Sequence, residues 1–205
     1  VSSVWWDSSA PYSTNDSTPT IRGTGEIGSM VSIDISGTIY TWVVDGSGNW
    51  SVNINPALTE WSYSASIIAI DVAGNVSTPT SVSFVVDETA PILTGVVNQV
   101  LEVHSGYIDS YVVSDNYRSL TGITVTISGI VNTWVLWTYP ITYIAVDNSG
   151  NTGTISKIVS IVDTTKPIVT LYGLSEITIE ANSVFDDQWA IWSDNYDGTW
   201  SILIA

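Results

Sequence analysis

The chain has 205 residues with 20 acidic and 4 basic side chains, and its formal net charge at pH 7 is −16. This balance argues against a nucleic-acid partner, because too few Lys and Arg are present to neutralise phosphates. The absence of Cys excludes disulfides and thiol chemistry, and no apolar run reaches the ~20 residues of a membrane span. The abundance of Val, Ile, Thr, Ser, Tyr and Trp is typical of β-strands.

A short motif that starts with Asp and ends with Pro occurs three times, at 7–11, 87–91 and 163–167. An apolar or alternating run precedes each copy. A period of roughly 80 residues with the same boundary indicates tandem domains. Because Pro fixes its own φ and holds the preceding residue extended, the motif predicts short, stiff joints between these domains.

The repeat divides the chain into four parts. Residues 1–8 are predicted to be the last strand of a preceding domain, and 9–87 and 88–163 to be complete domains. Residues 164–205 open like the second domain but lack its closing strands, so they are expected to form an incomplete domain. Two explanations stay open: the chain continues beyond this segment, which the number of missing strands favours, or a neighbouring subunit supplies them.

The first domain contains short alternating segments separated by Gly and Asn turns. Strands of this length, with a turn every ~8–12 residues, predict a β-sandwich. The predicted strands are 18–22, 29–35, 38–44, 50–54, 63–70 and 81–86.

Two turns with the pattern Asp-x-x-Gly-Asn, at 71–75 and 147–151, precede the final strands of the first and second domains at the same distance from the joint. Together with 23–28, 45–52 and 194–198, these turns make the chain resemble tandem bacterial immunoglobulin-like repeats, including the hyalin-repeat-like type, of large secreted surface proteins. The resemblance implies an all-β fold of tandem Ig-like sandwiches joined by short Asp-x-x-x-Pro linkers, at the cell surface or outside the cell. Trp61 and Trp137 stand where the family usually has Gly, which suggests added surface aromatics.

No catalytic constellation is visible in the sequence. His104 is the only His, so a Ser-His-Asp triad or a His-rich zinc site would have to be built around it. Residues 23–28 match the dinucleotide pattern G-x-G-x-x-G, but an alternating strand follows where the phosphate site needs a helix N-terminus. We therefore expect no enzyme activity.

Oxygen-bearing side chains recur at the three joints, which predicts Ca²⁺ or another hard cation there. In an Ig sandwich the chain enters beside the loops that join strands B to C and F to G. Each joint is therefore expected to meet the turns of the domain that follows it. The predicted ligands are Asp87, Glu88, Asp115, Asn116, Asp147 and Asn151 for the second domain, Asp7, Asp71 and Asn75 for the first, and Asp163 and Asp194 for the third. The alternative is that these Asp and Asn residues only stabilise turns through their own backbone.

The sequence thus predicts an extracellular structural segment that forms a rigid stalk, filament or surface layer, with copies of itself or other surface-protein domains as partners. The alternative is an adhesin or a carbohydrate-binding accessory module of a secreted protein, with glycans as partners. Exposed aromatic residues on one sheet face would favour binding, and extensive lateral contacts between copies would favour a filament.

Overall fold

A computed structural model describes residues 3–5, 12–116, 122–185 and 189–202, with the backbone alone at 3–5 and 200–202. In this part of the chain the regular elements are strands, so the predicted all-β class is confirmed. No helix among the described residues is long and apolar enough to cross a membrane. The strands are β1 Ser3–Trp5, β2 Tyr12–Thr14, β3 Thr20–Thr24, β4 Met30–Ile35, β5 Thr38–Val43, β6 Asn49–Asn53, β7 Trp61–Ile70, β8 Thr80–Val86, β9 Ile92–Thr94, β10 Gln99–Glu102, β11 Val112–Ser114, β12 Thr124–Ser128, β13 Thr138–Val146, β14 Thr152–Val162, β15 Ile168–Leu171, β16 Ala190–Asp194 and β17 Gly198–Ile202.

The first sandwich consists of a three-stranded sheet in the order β1-β3-β6 and a five-stranded sheet in the order β2-β8-β7-β4-β5. Because side chains alternate along a strand, every second residue of β4 and β7 points into one shared core. Among the described residues, this core contains Ile21, Val31, Ile33, Ile35, Val44, Trp50, Val52, Ile54, Ala65, Ile67, Phe84 and Val86.

The strand ends differ from the predictions for local reasons. The first predicted strand begins two residues late, at Thr20, because Pro19 has no N–H and uses its carbonyl to accept from Ile54. The strand predicted from residue 63 starts earlier, because Trp61 pairs with Val86 across β7 and β8. The predicted strand pattern therefore survives with shifted boundaries.

Two short strands near the N-terminus have places that the sequence did not predict. β1, which the repeat assigned to a preceding domain, pairs antiparallel with β3 at Val4↔Gly23. β2 was not predicted and pairs parallel with β8 at Ser13↔Val85. Both strands add hydrogen bonds to the edges of the first sandwich, and edge pairing of this kind leaves little trace in an apolar pattern.

The later strands form smaller sheets. β10, β14, β13 and β12 are neighbours in that order, and β10 runs parallel to β14 with Gln99 opposite Val159. β11 pairs with β9, and β15, β16 and β17 form an antiparallel sheet. Close to this last sheet in the chain, Leu174 and Val184 are 77% and 91% exposed.

The chain divides into two compact units. One contains Val1–Leu93, Val113–Thr126 and Ile144–Thr154, and the other contains the remaining segments Thr94–Val112, Ile127–Tyr143 and Ile155–Ala205. The residues around the joint at 87–91 belong to the first unit and those around the joint at 163–167 to the second. The domain boundaries predicted from the repeat stay predictions.

Candidate functional site at the domain joints

The two Asp-x-x-Gly-Asn turns have the same internal hydrogen bonds. In the first turn, Asp71 accepts the backbone N–H of Asn75 at 2.8 Å and its side-chain amide at 2.8 Å. In the second, Asp147 accepts the corresponding groups of Asn151 at 2.8 and 2.9 Å. The side-chain bond from Asn75 is the main cause that lowers the pKa of Asp71. These bonds within each turn account for the shape that the two loops share.

Asp87, the first residue of the second joint motif, is 3% exposed. Its backbone N–H donates to the carbonyl of Thr14 at 3.0 Å, and its own carbonyl accepts the Asn151 amide at 2.7 Å. Its carboxylate accepts from the Ser149 hydroxyl at 3.3 Å and from the backbone N–H of Thr89 at 3.2 Å. The joint is therefore bonded both to β2 and to the turn at 147–151.

The environment of Asp87 disfavours its charged form. Burial is the largest cause that raises its pKa, to about 6, and the nearby carboxyl of Glu60 and the charges of Asp115 and Asp147 add to it. The structure thus places Asp87 beside Asp115 and Asp147, as the sandwich argument predicted, rather than beside Asp71.

The other predicted ligands of this joint have different neighbours. Asn116 donates to the carboxylate of Glu60, and Glu88 is exposed to solvent. No group of three or more His, Cys, Asp or Glu side chains in the described part of the chain is arranged to hold a metal ion. The donor set suits a hard cation because every donor is an oxygen, but these carboxylates do not converge on one point.

Glu60, which sequence reasoning missed, connects three segments at this joint. Its carboxylate accepts from the Thr89 hydroxyl at 2.8 Å and from the Asn116 amide. These bonds lower its pKa, with Asn116 as the largest cause. Glu60, which directly precedes β7, therefore bonds through one carboxylate to the linker and to the following loop.

Glu102 has the same role at the joint 163–167. Its carboxylate accepts the backbone N–H of Thr164 at 3.0 Å, the N–H of Thr165 at 3.1 Å and the amide of Asn195 at 3.0 Å. The hydroxyls of both Thr residues also donate to it, at 2.7 and 2.9 Å. These donors, with Thr164 the largest cause, lower the pKa of Glu102 to about 2. We call the Glu60 and Glu102 arrangements, each with its linker Thr and loop Asn, the glutamate clamps.

The remaining predicted ligands belong to the outer joints. Burial and the nearby Asp194 carboxylate raise the pKa of Asp163. Asp194 itself accepts the backbone N–H of Tyr196 at 2.9 Å, as a turn residue does. Asp7 lies outside the described residues, so the first joint stays a prediction.

A second polar cluster, also missed from the sequence, lies at Lys157. Its Nζ donates to Asp109 at 2.6 Å, and the side chain is 1% exposed. The Tyr143 hydroxyl donates to the same carboxylate oxygen, and the ammonium lies 5.3 Å from the ring centre of Tyr107. Burial is the largest single effect on Lys157 and opposes its charge, but the bonds to Asp109, Tyr143 and Tyr107 together raise its pKa. Burial raises the pKa of Tyr143 to about 12. The cluster is a compensated ion pair inside a β-domain.

The family comparison agrees with the first sandwich. Residues 7–88 match the family model described as bacterial Ig-like domain. This segment is similar to bacterial Ig-like domains. The predicted resemblance is therefore confirmed for the part of the chain that contains the first sandwich, Glu60 and Asp87, so one clamp begins in the Ig-like domain itself.

Solved structures with similar folds include the fibronectin(III)-like modules of Clostridium thermocellum CbhA, at 15% identity, with 78% of this chain and 95% of that chain covered and a TM-score of 0.44. A 1.5-MDa bacterial ice-binding adhesin is 19% identical, with 78% and 63% covered and a TM-score of 0.40. A Ca²⁺-stabilised adhesin of an Antarctic bacterium is 17% identical, with 91% and 60% covered and a TM-score of 0.36. No curated protein matches the sequence.

Proposed function

We propose that the chain is a structural segment of a bacterial surface protein in which hydrogen-bonded joints keep consecutive Ig-like domains in a fixed orientation. The observation that carries this proposal is that Asp87 and Glu60 together bond to β2, to the linker and to the loops that contain Asn116 and Asn151. Such bonding costs conformational entropy and is expected where a stiff connection is useful. The segment acts mechanically and carries out no reaction.

The number of connections supports a stiff joint. A linker held only by its ends would leave Asp87 exposed and charged. Here Asp87 is buried, and its backbone N–H and carbonyl are both used. Breaking any one of these bonds leaves a buried donor or acceptor unsatisfied. Opening the joint breaks all of them, so it costs more free energy than the loss of one bond.

The absence of Cys allows a direct test by double electron–electron resonance. Two spin labels are attached to the full chain at the exposed positions of Thr41→Cys and Ser128→Cys. We expect a narrow distance distribution that broadens when Glu60→Ala and Asn116→Ala are added. Glu26→Ala, an exposed glutamate of the same domain, is the control and leaves the distribution unchanged. A distribution that is equally broad with and without the clamp would overturn the proposal.

We also propose that Ca²⁺ binds at this joint, beside Asp87. Asp115 and Asp147 already act electrostatically on Asp87, and a cation would remove that repulsion. Because these carboxylates do not form a ready site, binding requires Asp115 and Asp147 to close towards Asp87. The cation would then tighten a joint that hydrogen bonds already hold.

A second function, recognition of a partner by aromatic side chains, is favoured by the exposure of Trp61, Trp134 and Trp137, which are 66%, 68% and 68% exposed. Large aromatic side chains at the surface are typical of binding sites when they line a concave surface. A fourth exposed indole, that of Trp42, lines a groove.

A further inference from the structure

The open side of the first sandwich contains a groove between two edge strands. β5 ends the five-stranded sheet, and β6 ends the three-stranded sheet. The larger part of the groove has a volume of about 570 Å³ and is lined by residues that include Trp42, Trp50, Arg22 and Ser51. An adjoining part of about 370 Å³ shares Trp42 and Ser51 and continues to Tyr40. Both volumes are in the range of small-molecule sites.

One wall of the groove is aromatic. Tyr40 and Trp42 are two residues apart on β5, so they lie on the same face of the strand about 7 Å apart. Tyr40 packs partly against the core, whereas Trp42 is 51% exposed. An indole this exposed at the mouth of a groove leaves a flat apolar surface open to a ligand ring.

The other wall is polar. Asn49, Ser51 and Asn53 alternate with the core residues Trp50 and Val52, so they lie on the outer face of β6. From Asn49 to Asn53 the strand extends about 13 Å, enough for two or three pyranose rings. Asn49, Ser51 and Asn53 thus add uncharged hydrogen-bonding groups to the lining of the groove.

One residue of the groove lining, Trp50, has an unsatisfied donor. Trp50 is 2% exposed, and its indole N–H has no hydrogen-bond partner among the described residues. Buried polar groups are nearly always bonded, and an orphaned donor destabilises the fold unless a ligand supplies an acceptor. This donor, independent of the exposed ring of Trp42, points to a ligand that contains acceptor oxygens.

The charge of the chain selects among such ligands. With a net charge of −16, the protein repels anions such as nucleotides and acidic glycans. The Asp45 carboxylate beside the groove is already used, because it accepts from the backbone N–H groups of Ser47 and Asn49 at 2.8 and 2.9 Å. Arg22 is also part of the lining, so a ligand meets aromatic rings, amides, hydroxyls and one guanidinium that can donate to ligand oxygens. This combination suits a neutral sugar with one apolar face and many hydroxyls.

We propose that this groove is a binding site for a neutral oligosaccharide of two or three pyranose units, which stacks on Trp42 and Tyr40 and bonds to the polar residues of β6. The site lies on the first Ig-like domain and does not involve the glutamate clamps. Its existence therefore does not depend on the stiffness of the joints.

The experiment is a titration of the ¹⁵N-labelled full chain with cellotriose, followed through the indole N–H signals. We assign these signals with Trp42→Phe, Trp50→Phe and Trp61→Phe. We expect saturable shifts of the Trp42 and Trp50 signals and an unshifted Trp61 signal. Trp42→Ala should weaken binding about tenfold or more, the contribution of one aromatic stacking contact. Trp61→Ala, which removes an exposed indole outside the groove, should leave binding unchanged.

Three outcomes overturn the proposal. The first is the absence of a saturable shift with cellotriose in a chain whose thermal unfolding is cooperative. The second is equal loss of binding in Trp42→Ala and Trp61→Ala. The third is a Trp42 indole signal that shifts with protein concentration and not with sugar. That result would show that the edge strand β5 pairs with another copy of the chain. Thermal unfolding of each variant shows that a loss of binding is not a loss of folding.

Discussion

Glu102 and Asn195 lie 93 positions apart in the sequence, and the carboxylate of the first accepts the side-chain amide of the second at 3.0 Å. The same carboxylate holds the backbone of the linker residues Thr164 and Thr165. One acidic side chain thus connects the end of β10, the linker and the loop after β16. Glu60 does the same at the preceding joint from a different position in its domain.

Acid is expected to loosen the second joint. The pKa of Glu102 is lowered to about 2, below its ordinary value of 4.5. A lowered pKa means that the stabilising effect is complete above the unfolded-state value and is lost as the pH falls from about 4.5 towards 2. We expect proteolysis of the linker at 163–167 to accelerate over this pH range, measured with an acid-stable protease on the full chain.

The matched variants separate this effect from general acid unfolding. Glu102→Ala should make the linker sensitive already at neutral pH and remove most of its pH dependence. Glu176→Ala, another exposed glutamate in the third repeat, should behave as the unmodified chain does. An unchanged cleavage rate in Glu102→Ala would show that the clamp does not protect the linker.

Asp87 should show the opposite pH dependence. Its pKa is raised to about 6 in the folded chain, above an ordinary value of 3.8. The folded state therefore binds the proton more tightly than the unfolded state. Its stabilising contribution is complete below about pH 4 and is lost as the pH rises through 6. Denaturation in urea at several pH values should show the unmodified chain losing stability relative to Asp87→Asn between pH 4 and 6.5. A constant difference between the two proteins would contradict the shift.

Calcium should act through Asp147 and not through Asp71. The two residues make the same turn bonds, but only Asp147 is coupled electrostatically to Asp87. If Ca²⁺ binds at this joint, a free Ca²⁺ concentration about 100 times the Kd stabilises the folded state by about 2.7 kcal/mol. We expect the midpoint of thermal unfolding to rise with Ca²⁺ and to return to its original value with chelator.

Asp147→Asn should abolish this rise, whereas Asp71→Asn should retain it. Equal responses in both variants, or no response in the unmodified chain, would show that Ca²⁺ does not bind at this joint. The hydrogen-bonded clamps would then be sufficient to hold it.

The buried ion pair should be essential to the second domain. Replacing Lys157 by Met leaves the Asp109 carboxylate without its cation, and breaking a buried pair in this way typically costs about 3–5 kcal/mol. Because Asp109 is 27% exposed, we expect the lower end of that range in urea denaturation. The double variant Lys157→Met, Asp109→Asn should recover part of the loss. A double variant that is no more stable than Lys157→Met would show that the two charges are not coupled.

The turns and sandwiches were predictable because their signals are local. The spacing within 71–75 and 147–151 sets the bonds from Asp71 to Asn75 and from Asp147 to Asn151. The alternation in β4 sets which of its side chains are buried. Short-range bonds and period-two patterns depend on residues a few positions apart, which a sequence displays directly.

The clamps and the ion pair were not predictable in this way. Glu60 precedes β7 of the first domain, whereas Glu102 ends β10 of the second, so the repeat does not align them. Lys157 is one of four basic residues, and no motif marks Asp109 as its partner. Each of these contacts joins residues that are tens of positions apart, and many acidic residues could have supplied the acceptor.

By itself, the sequence determined the strand-rich composition, the spacing of the three Asp-to-Pro motifs and the turns at 71–75 and 147–151. Those features depend on backbone preferences and on spacing, and they persist whatever the exact packing is. Only the tertiary structure decided that Asp87 is buried, that Glu60 and Glu102 hold the linkers, and that Trp42 and Trp50 line one groove. The physical reason is that burial and hydrogen-bond partners depend on which distant segments meet, and a carboxylate or an indole acquires its role from those neighbours.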